Sequence, residues 1–225
     1  MSRFYTPELT IDFSQLILSE QESKHAVQVM RLQNDQQIEL FNGKGLSAIA
    51  TVIDNHPKRC SVRIDQKNEH PKEKQIHIAI APTKNMERLE WFIEKATEIG
   101  ITEISLILCQ NSERREVKTD RLEKIIVSAV KQSGRFFIPT LHPIEKWTDF
   151  LKNNPKGLLA HCRNGEKKNI GDFSENYLIA IGPEGDFTQE EIQMGLESGY
   201  SSITLGKNRL RTETAALVAC IEAIK

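Results

Sequence analysis

From residue 76 onward the chain carries five short runs that are apolar almost throughout: IHIAIA (76–81), ISLILC (104–109), GLLAHC (157–162), YLIAIG (177–182) and SITLG (202–206). A strand with one wet face alternates polar and apolar residues, so uninterrupted runs like these require cover on both faces. Helical spacing supplies that cover. Leu89, Phe92, Ile93, Ala96 and Ile99 fall on one helix face, and Leu122, Ile125, Ile126 and Ala129 on another. Thr188 and Glu191 have the spacing of a capping box, and Leu217, Cys220, Ile221 and Ile224 predict the apolar face of a terminal helix. The pattern predicts an α/β domain over 75–225 built on a mostly parallel sheet.

The first seventy residues read differently. IELF (38–41), the turn-forming Asn42-Gly43 and the run from Leu46 to Ile53 predict a hairpin, and CSVRI (60–64) a further strand. Ser19 and Glu22 begin a predicted helix from about 20 to 32, with Ala26, Val27 and Met30 at helical intervals. The polar segment HPKEK (70–74) then separates a small β-rich, barrel-like domain, 1–70, from the α/β domain.

With 30 basic against 31 acidic side chains, the formal charge is −1, which excludes a uniformly basic nucleic-acid binder. Any RNA contact must come from local patches. No signal segment or run long enough for a membrane helix is present, so a cytoplasmic protein is expected. Cys60, Cys109, Cys162 and Cys220 show no CxxC spacing, and the six histidines no HxxxH or HExxH. The cysteines read as reduced core residues, and no metal is expected.

In open α/β sheets the ligand sits beyond the carboxyl ends of the strands. Three strand-end turns stand out: HCRNG (161–165), GPEGD (182–186) and LGKNRLRTETA (205–215). No GxGxxG follows the first strand, no GxxxxGK[ST] occurs, and no GxSxG elbow is present, which disfavours a Rossmann dinucleotide site, a P-loop and a serine hydrolase. What remains is a glycine-lined, partly apolar slot flanked by Arg209, Arg211 and Glu213.

IGPEG (181–185), succeeded about twenty residues later by LGxxxLRTETA (205–215), resembles the signature of the SPOUT-superfamily methyltransferases that act on N3 of a uridine in 16S rRNA of the small ribosomal subunit. The likeness covers nearly the whole chain. SRF, KHAVQVMRL and LFNGKG resemble that family's N-terminal PUA-like domain, and EKATEIGI, NSER and AVKQSGR the first half of its methyltransferase domain. Asp186, Arg209 and Arg115 depart from the family's usual glycine, apolar residue and serine.

The resemblance implies a trefoil-knotted C-terminal domain that binds S-adenosylmethionine, an N-terminal PUA-like β-barrel, and an active homodimer. Topology rules alone would exclude the knot. Cofactor contacts are implied for Ala160, His161, Gly182, Pro183, Glu184, Gly185, Leu205, Gly206, Leu210 and Thr214. Arg211 and Glu213 are implied in catalysis, and Arg3, Arg31, Arg114 and Arg135 in RNA binding. Each has a plainer reading: turn glycines, a strand-end histidine, a glutamate favoured by a helix dipole, solvated surface arginines. The stretch from Glu113 to Arg135 holds seven basic and four acidic residues, an excess that helix-face pairing alone accommodates. Phe4, Tyr5, Phe136 and Phe137 are candidates for stacking on bases or for a core. The alternatives to an enzyme of this family are a non-catalytic RNA-binding or ribosome-assembly factor with the same fold, and an unrelated nucleotide-binding metabolic enzyme.

Overall fold

Five strands, β1 (Arg3–Tyr5), β2 (Gln15–Ile17), β3 (Gln37–Phe41), β4 (Leu46–Asp54) and β5 (Ser61–Glu69), pair in the order β1-β3-β4-β5-β2. The β1/β3 ladder is parallel and the others are antiparallel. Along β4, Leu46, Ala48, Ala50 and Val52 turn inward at every second residue, joining Phe4, Leu9, Leu18, Ile38, Leu40 and Val62 in one core. Register shifts at Ile49/Ala50 and Val52/Asp54 mark bulges, which bend and twist the strand so that the sheet curls around that core.

The computed structural model describes residues 1–173 and 177–225. Its chain divides into two units, Met1–Lys72 with Val130–Ile138, and Glu73–Ala129 with Pro139–Lys225. The first unit is thus assembled from two stretches of chain, where the sequence predicts one.

Two local expectations are modified in this unit. The helix α1 (Glu20–Lys24), capped by Ser19 Oγ accepting from the Glu22 amide at 3.2 Å, continues only as a wider helical turn, His25–Val29. It stops short of residue 32 because Arg31 adopts the left-handed region, φ 54°. The hairpin connection is also longer than Asn42-Gly43: Asn42 Oδ1 accepts from the amides of Lys44 and Leu46, and both Gly43 and Gly45 take positive φ. A Cβ at Gly45 would overlap the Phe137 ring.

Arg3 ties the second stretch of chain to the first. Its Nε pairs with Glu39 at 2.5 Å, Nη1 donates to the carbonyls of Val130 and Lys131, and Nη2 donates to that of Arg135 at 2.9 Å. The guanidinium also lies over the Phe41 and Phe136 rings, at 5.0 and 4.8 Å. With its side chain 12% exposed and bonded to one carboxylate and three backbone carbonyls, Arg3 tethers the second stretch of chain to the first. Of the aromatics considered for base stacking, Phe4 is core and Phe136 stacks on His70, ring centroids 3.5 Å apart.

The second unit carries β6 (Ile76–Ile80), β7 (Glu103–Leu108), β8 (Thr140–Lys146), β9 (Gly157–Ala160), β10 (Tyr177–Ile181) and β11 (Tyr200–Ile203). All pair in parallel, in the order β11-β9-β10-β6-β7-β8. The helices are α2 (Met86–Ile99), α3 (Thr119–Ser133), α4 (Trp147–Asn153), α5 (Gln189–Glu197) and α6 (Thr212–Ile224), and the boundary between the units falls inside α3. Trp147, Phe150, Phe187, Leu159 and Ala180 centre one core on the sheet, with the Trp147 indole donating to the Glu191 carbonyl. The capping box forms as expected, and Glu191 does more than cap: its second carboxylate oxygen accepts from the Gln110 amide at 2.7 Å.

The terminal helix differs from expectation. The buried face of α6 is Ala216, Ala219, Cys220 and Ala223, whereas Ile221 and Ile224 are exposed. Small residues let α6 lie close against β6, β10 and α2. To get there from the edge strand β11, the chain passes the ends of β9 and β10 through 204–211, and this passage builds the site.

Candidate functional site

Three strand ends converge on one cavity of about 720 Å³. Ala160, His161 and Cys162 enter from the end of β9, Ile181, Gly182, Pro183, Glu184 and Asp186 from the end of β10, and residues 203–212 from beyond β11. Lys167 and Ala215 complete the lining. The volume falls within the usual range for small-molecule and cofactor sites.

The β10 turn is held from several sides. Asp186 takes φ 64°, the left-handed conformation that glycine adopts freely and aspartate tolerates. Its amide donates to Pro183 O at 2.9 Å, closing the turn, while Oδ2 accepts from the Cys162 amide at 2.8 Å and Oδ1 from the Phe187 amide. The departure from glycine therefore preserves the turn and adds a link to the β9 end. Glu184 is a second link: its Oε1 accepts from the Lys84 amide, and its carbonyl accepts from Arg209 Nη2 at 3.2 Å. Arg209 thus folds over the neighbouring loop.

His161 shares a hydrogen bond between Nε2 and Ser202 Oγ at 2.9 Å, and its Nδ1 is buried. Burial, reinforced by the Lys167 ammonium, lowers its pKa, so the ring is neutral at pH 7.

Most of the residues expected to hold a cofactor line this cavity: Ala160, His161, Gly182, Pro183, Glu184, Leu205, Gly206 and Leu210. Gly206 has φ 118°, and a Cβ there would meet nothing within 4 Å, so it requires glycine for conformation and not for space. Gly185 is turned instead toward Asn111, whose amide nitrogen donates to the carbonyls of Gly185 and Asp186. Thr214 faces a second, smaller cavity shared with Arg211 and Glu213. Arg211 lines both, and its side chain has no hydrogen-bond or ion-pair partner among the described residues.

Among the arginines expected at RNA, Arg114 donates to the carbonyls of Thr83 and Lys84, at 3.1 and 2.7 Å, and so braces the loop that Glu184 also grips. Arg31 is exposed; Arg135 is half-buried. Cys162 is exposed and lines the cavity, unlike the buried Cys60, Cys109 and Cys220, and thereby departs from the core reading. Asn111, Cys162 and Lys167 join the site without any motif that marks them in the sequence. The strand-end rule that singles out His161 extends to Cys162, whereas Asn111 acts from a loop far away in sequence.

Among the described residues no helix is long and apolar enough to cross a membrane, and no group of three or more His, Cys, Asp or Glu side chains is disposed to hold a metal ion. A family model described as an RNA methyltransferase domain matches residues 69–224, and one described as an RNA methyltransferase PUA domain matches 18–65. The chain is 33% identical to ribosomal RNA small subunit methyltransferase E of Mesomycoplasma hyopneumoniae, over 100% of both proteins. Against the enzyme of the same name from Rickettsia conorii it is 31% identical, covering 97% of this chain and 93% of that one. Among solved structures it is similar to a probable rRNA-methyltransferase from Porphyromonas gingivalis, with TM-score 0.91 and 36% identity over 100% and 98% of the two chains. It is likewise similar to ribosomal RNA small subunit methyltransferase E of Neisseria gonorrhoeae bound to S-adenosyl methionine, with TM-score 0.88 and 28% identity over 98% and 95%.

Proposed function

Because the chain belongs to the SPOUT family of RNA methyltransferases with a PUA-like domain, we propose that it transfers a methyl group from S-adenosylmethionine to N3 of a uridine in 16S rRNA of the small ribosomal subunit. The observation that carries this reading is the convergence of three strand ends on one cofactor-sized cavity. Its residues fit the cofactor. Leu205, Leu210 and Ile181 offer apolar walls, and the turns at 182–184 and 204–206 offer backbone groups. The bound cofactor supplies an electrophilic methyl group on a sulfonium.

The rest of the chemistry falls to the chain. The N3 hydrogen of uracil is an imide proton, and N3 becomes a good nucleophile only as that proton leaves and charge spreads onto O2 and O4. Arg211, with its donors unengaged at the edge of the cavity, is suited to stabilise that charge. Glu213 is the proposed proton acceptor. Orientation beside the methyl group supplies the remainder.

The first unit is proposed to dock RNA, with Arg31 and Arg135 as phosphate contacts, and the second to carry the chemistry, the working division lying at 70–75. The active form is proposed to be a homodimer, supported by Ile221 and Ile224, exposed at the end of α6. A cytoplasmic location is proposed with that substrate. The test is transfer of labelled methyl from S-adenosylmethionine to small subunits, compared with naked rRNA and large subunits. N3 methylation blocks Watson–Crick pairing, so reverse transcription is expected to stop at the modified base; label without a stop would overturn the N3 assignment.

A further inference from the structure

Next to the cofactor-sized cavity lies a smaller one of about 390 Å³, lined by Asn85, Arg88, Trp91, Arg211, Glu213 and Thr214 among others. Two features there call for a ligand. The Glu213 side chain is only 8% exposed, and its Oε2 has no hydrogen-bond partner among the described residues, while Oε1 has just the Arg88 guanidinium 3.8 Å away. A buried carboxylate oxygen left unmatched is costly until a donor arrives. Trp91, 44% exposed, is a large apolar ring with an open face.

Building on the methyltransferase reading, we propose that this second cavity receives the target uracil, which stacks on Trp91 and presents its imide edge to Arg88, Glu213 and Arg211. That edge reads acceptor, donor, acceptor: O2, N3–H, O4. The three side chains answer it with donor, acceptor, donor. Enzymes that modify a base commonly read its pairing edge and stack its face in this way. Cytosine has no hydrogen on N3, so its ring nitrogen would turn a lone pair toward the carboxylate. A site built to pair a particular group rejects an analogue that leaves its buried polar atoms unmatched.

The same contact defines the proton's path. The N3–H bond breaks toward the Glu213 carboxylate, the electron pair stays on N3, and the proton passes to water when the product leaves. The in-plane lone pair left on N3 would form the bond to the methyl group as the methyl–sulfur bond breaks and the sulfonium becomes a neutral thioether, so deprotonation precedes transfer and the protonated carboxyl must give way. Arg211 lines both cavities and so adjoins the base on one side and the cofactor on the other.

Trp91 makes its own reporter, because Trp147, the other tryptophan, is buried at 1% exposure. In the intact 225-residue chain with S-adenosylmethionine, a short uridine oligonucleotide is expected to quench tryptophan emission, and a cytidine oligonucleotide of equal length to need at least about tenfold higher concentration. On small subunits, Trp91→Ala is expected to raise KM roughly tenfold, with Trp91→Phe restoring it. Glu213→Gln, similar in shape but unable to take the proton, is expected to lower kcat roughly a hundredfold with KM little changed. Calorimetry should find cofactor affinity intact in each variant, which separates the base pocket from general misfolding. Equal quenching by the two oligonucleotides, or wild-type kcat/KM in both Trp91→Ala and Arg88→Ala, overturns the base pocket. Wild-type protein that distinguishes uridine from cytidine yet transfers no methyl would instead overturn the methyltransferase reading.

Discussion

Asp186 occupies a left-handed position for which the family pattern has glycine, and both its carboxylate oxygens accept backbone amides. Asp186→Ala would keep the unfavourable φ and lose both hydrogen bonds, so a destabilisation of about 2 kcal/mol is expected. Asp186→Gly relieves the φ and loses only the bonds, so its cost should be smaller; urea titration of the two variants orders them. Cofactor affinity by calorimetry should fall in both, because the Cys162 amide loses its anchor at the cavity wall. Arg211 makes the opposite case, a side chain with no structural task. Arg211→Ala should leave stability and cofactor affinity nearly unchanged and lower methyl transfer roughly a hundredfold, the loss of one preorganised donor being worth on the order of 3 kcal/mol. Wild-type turnover in that variant would remove Arg211 from the mechanism. The position of Arg211 is legible in the sequence because it comes just after the last strand end. The tethering role of Arg3 is not, since nothing in SRF reveals that the carbonyls of Val130, Lys131 and Arg135 converge on it.

At the scale of elements, the stretch Val130–Ile138 is the one whose place the sequence conceals. Its helical start continues the pattern of α3, yet it belongs with the first unit through Arg3, through the Gly45 amide donating to Phe136 O at 3.1 Å, and through the Ile138 amide donating to Gly43 O at 2.9 Å. Arg3→Ala would strand Glu39 and three carbonyls, and a loss of about 3 kcal/mol is expected by denaturant unfolding. Arg3→Lys should recover little of it, because an ammonium cannot spread its donors over carboxylate and carbonyls while lying flat on two rings. Full stability in Arg3→Lys would show that charge alone holds the stretch. The strands β6, β7, β9 and β10 are legible from continuous apolarity, whereas β11 (YSSI) lies earlier than the run 202–206 that suggests it and overlaps it only at Ser202 and Ile203. By contrast, β8 is an edge strand, half-exposed and carrying Pro143, so neither apolar run nor alternation marks it. The buried face of α6 is hidden for a related reason: large apolar residues suggest one side of the helix, but alanines on another allow the closer packing.

Across the whole molecule, the cofactor cavity is readable because one rule about strand ends in open sheets gathers 160–162, 181–186 and 203–212 without any knowledge of contacts. The second cavity is not. Arg88 and Trp91 lie on α2 and Glu213 on α6, and only the packing of those helices brings them together. Packing also sets how the molecule responds to acid, at the opposite ends of the strands. His77 near the start of β6 is buried against Ser105, with Glu103 and His142 beside it, and burial lowers its pKa to about 4 despite the Glu103 carboxylate. In the unfolded chain the ring titrates near 6.5. Between those values the unfolded state binds the extra proton, so stability is full above about pH 6.5 and is lost as pH falls toward 4, by up to about 3 kcal/mol. Urea midpoints measured from pH 7.5 to 4.5 should fall more steeply in wild type than in His77→Gln; equal slopes would assign the acid sensitivity elsewhere.

The two-stretch construction of the first unit has a consequence for biosynthesis. A nascent chain that has emerged only to residue 72 holds every strand of the small sheet, with Arg3 already paired to Glu39, but lacks the carbonyls of Val130, Lys131, Arg135 and Phe136 to which the Arg3 guanidinium and the Gly45 amide donate. It must wait while β6, α2, β7 and most of α3 are translated before residues 130–138 arrive to complete it. Maturation is therefore interleaved and not vectorial: the ribosome delivers much of the second unit before the first can close.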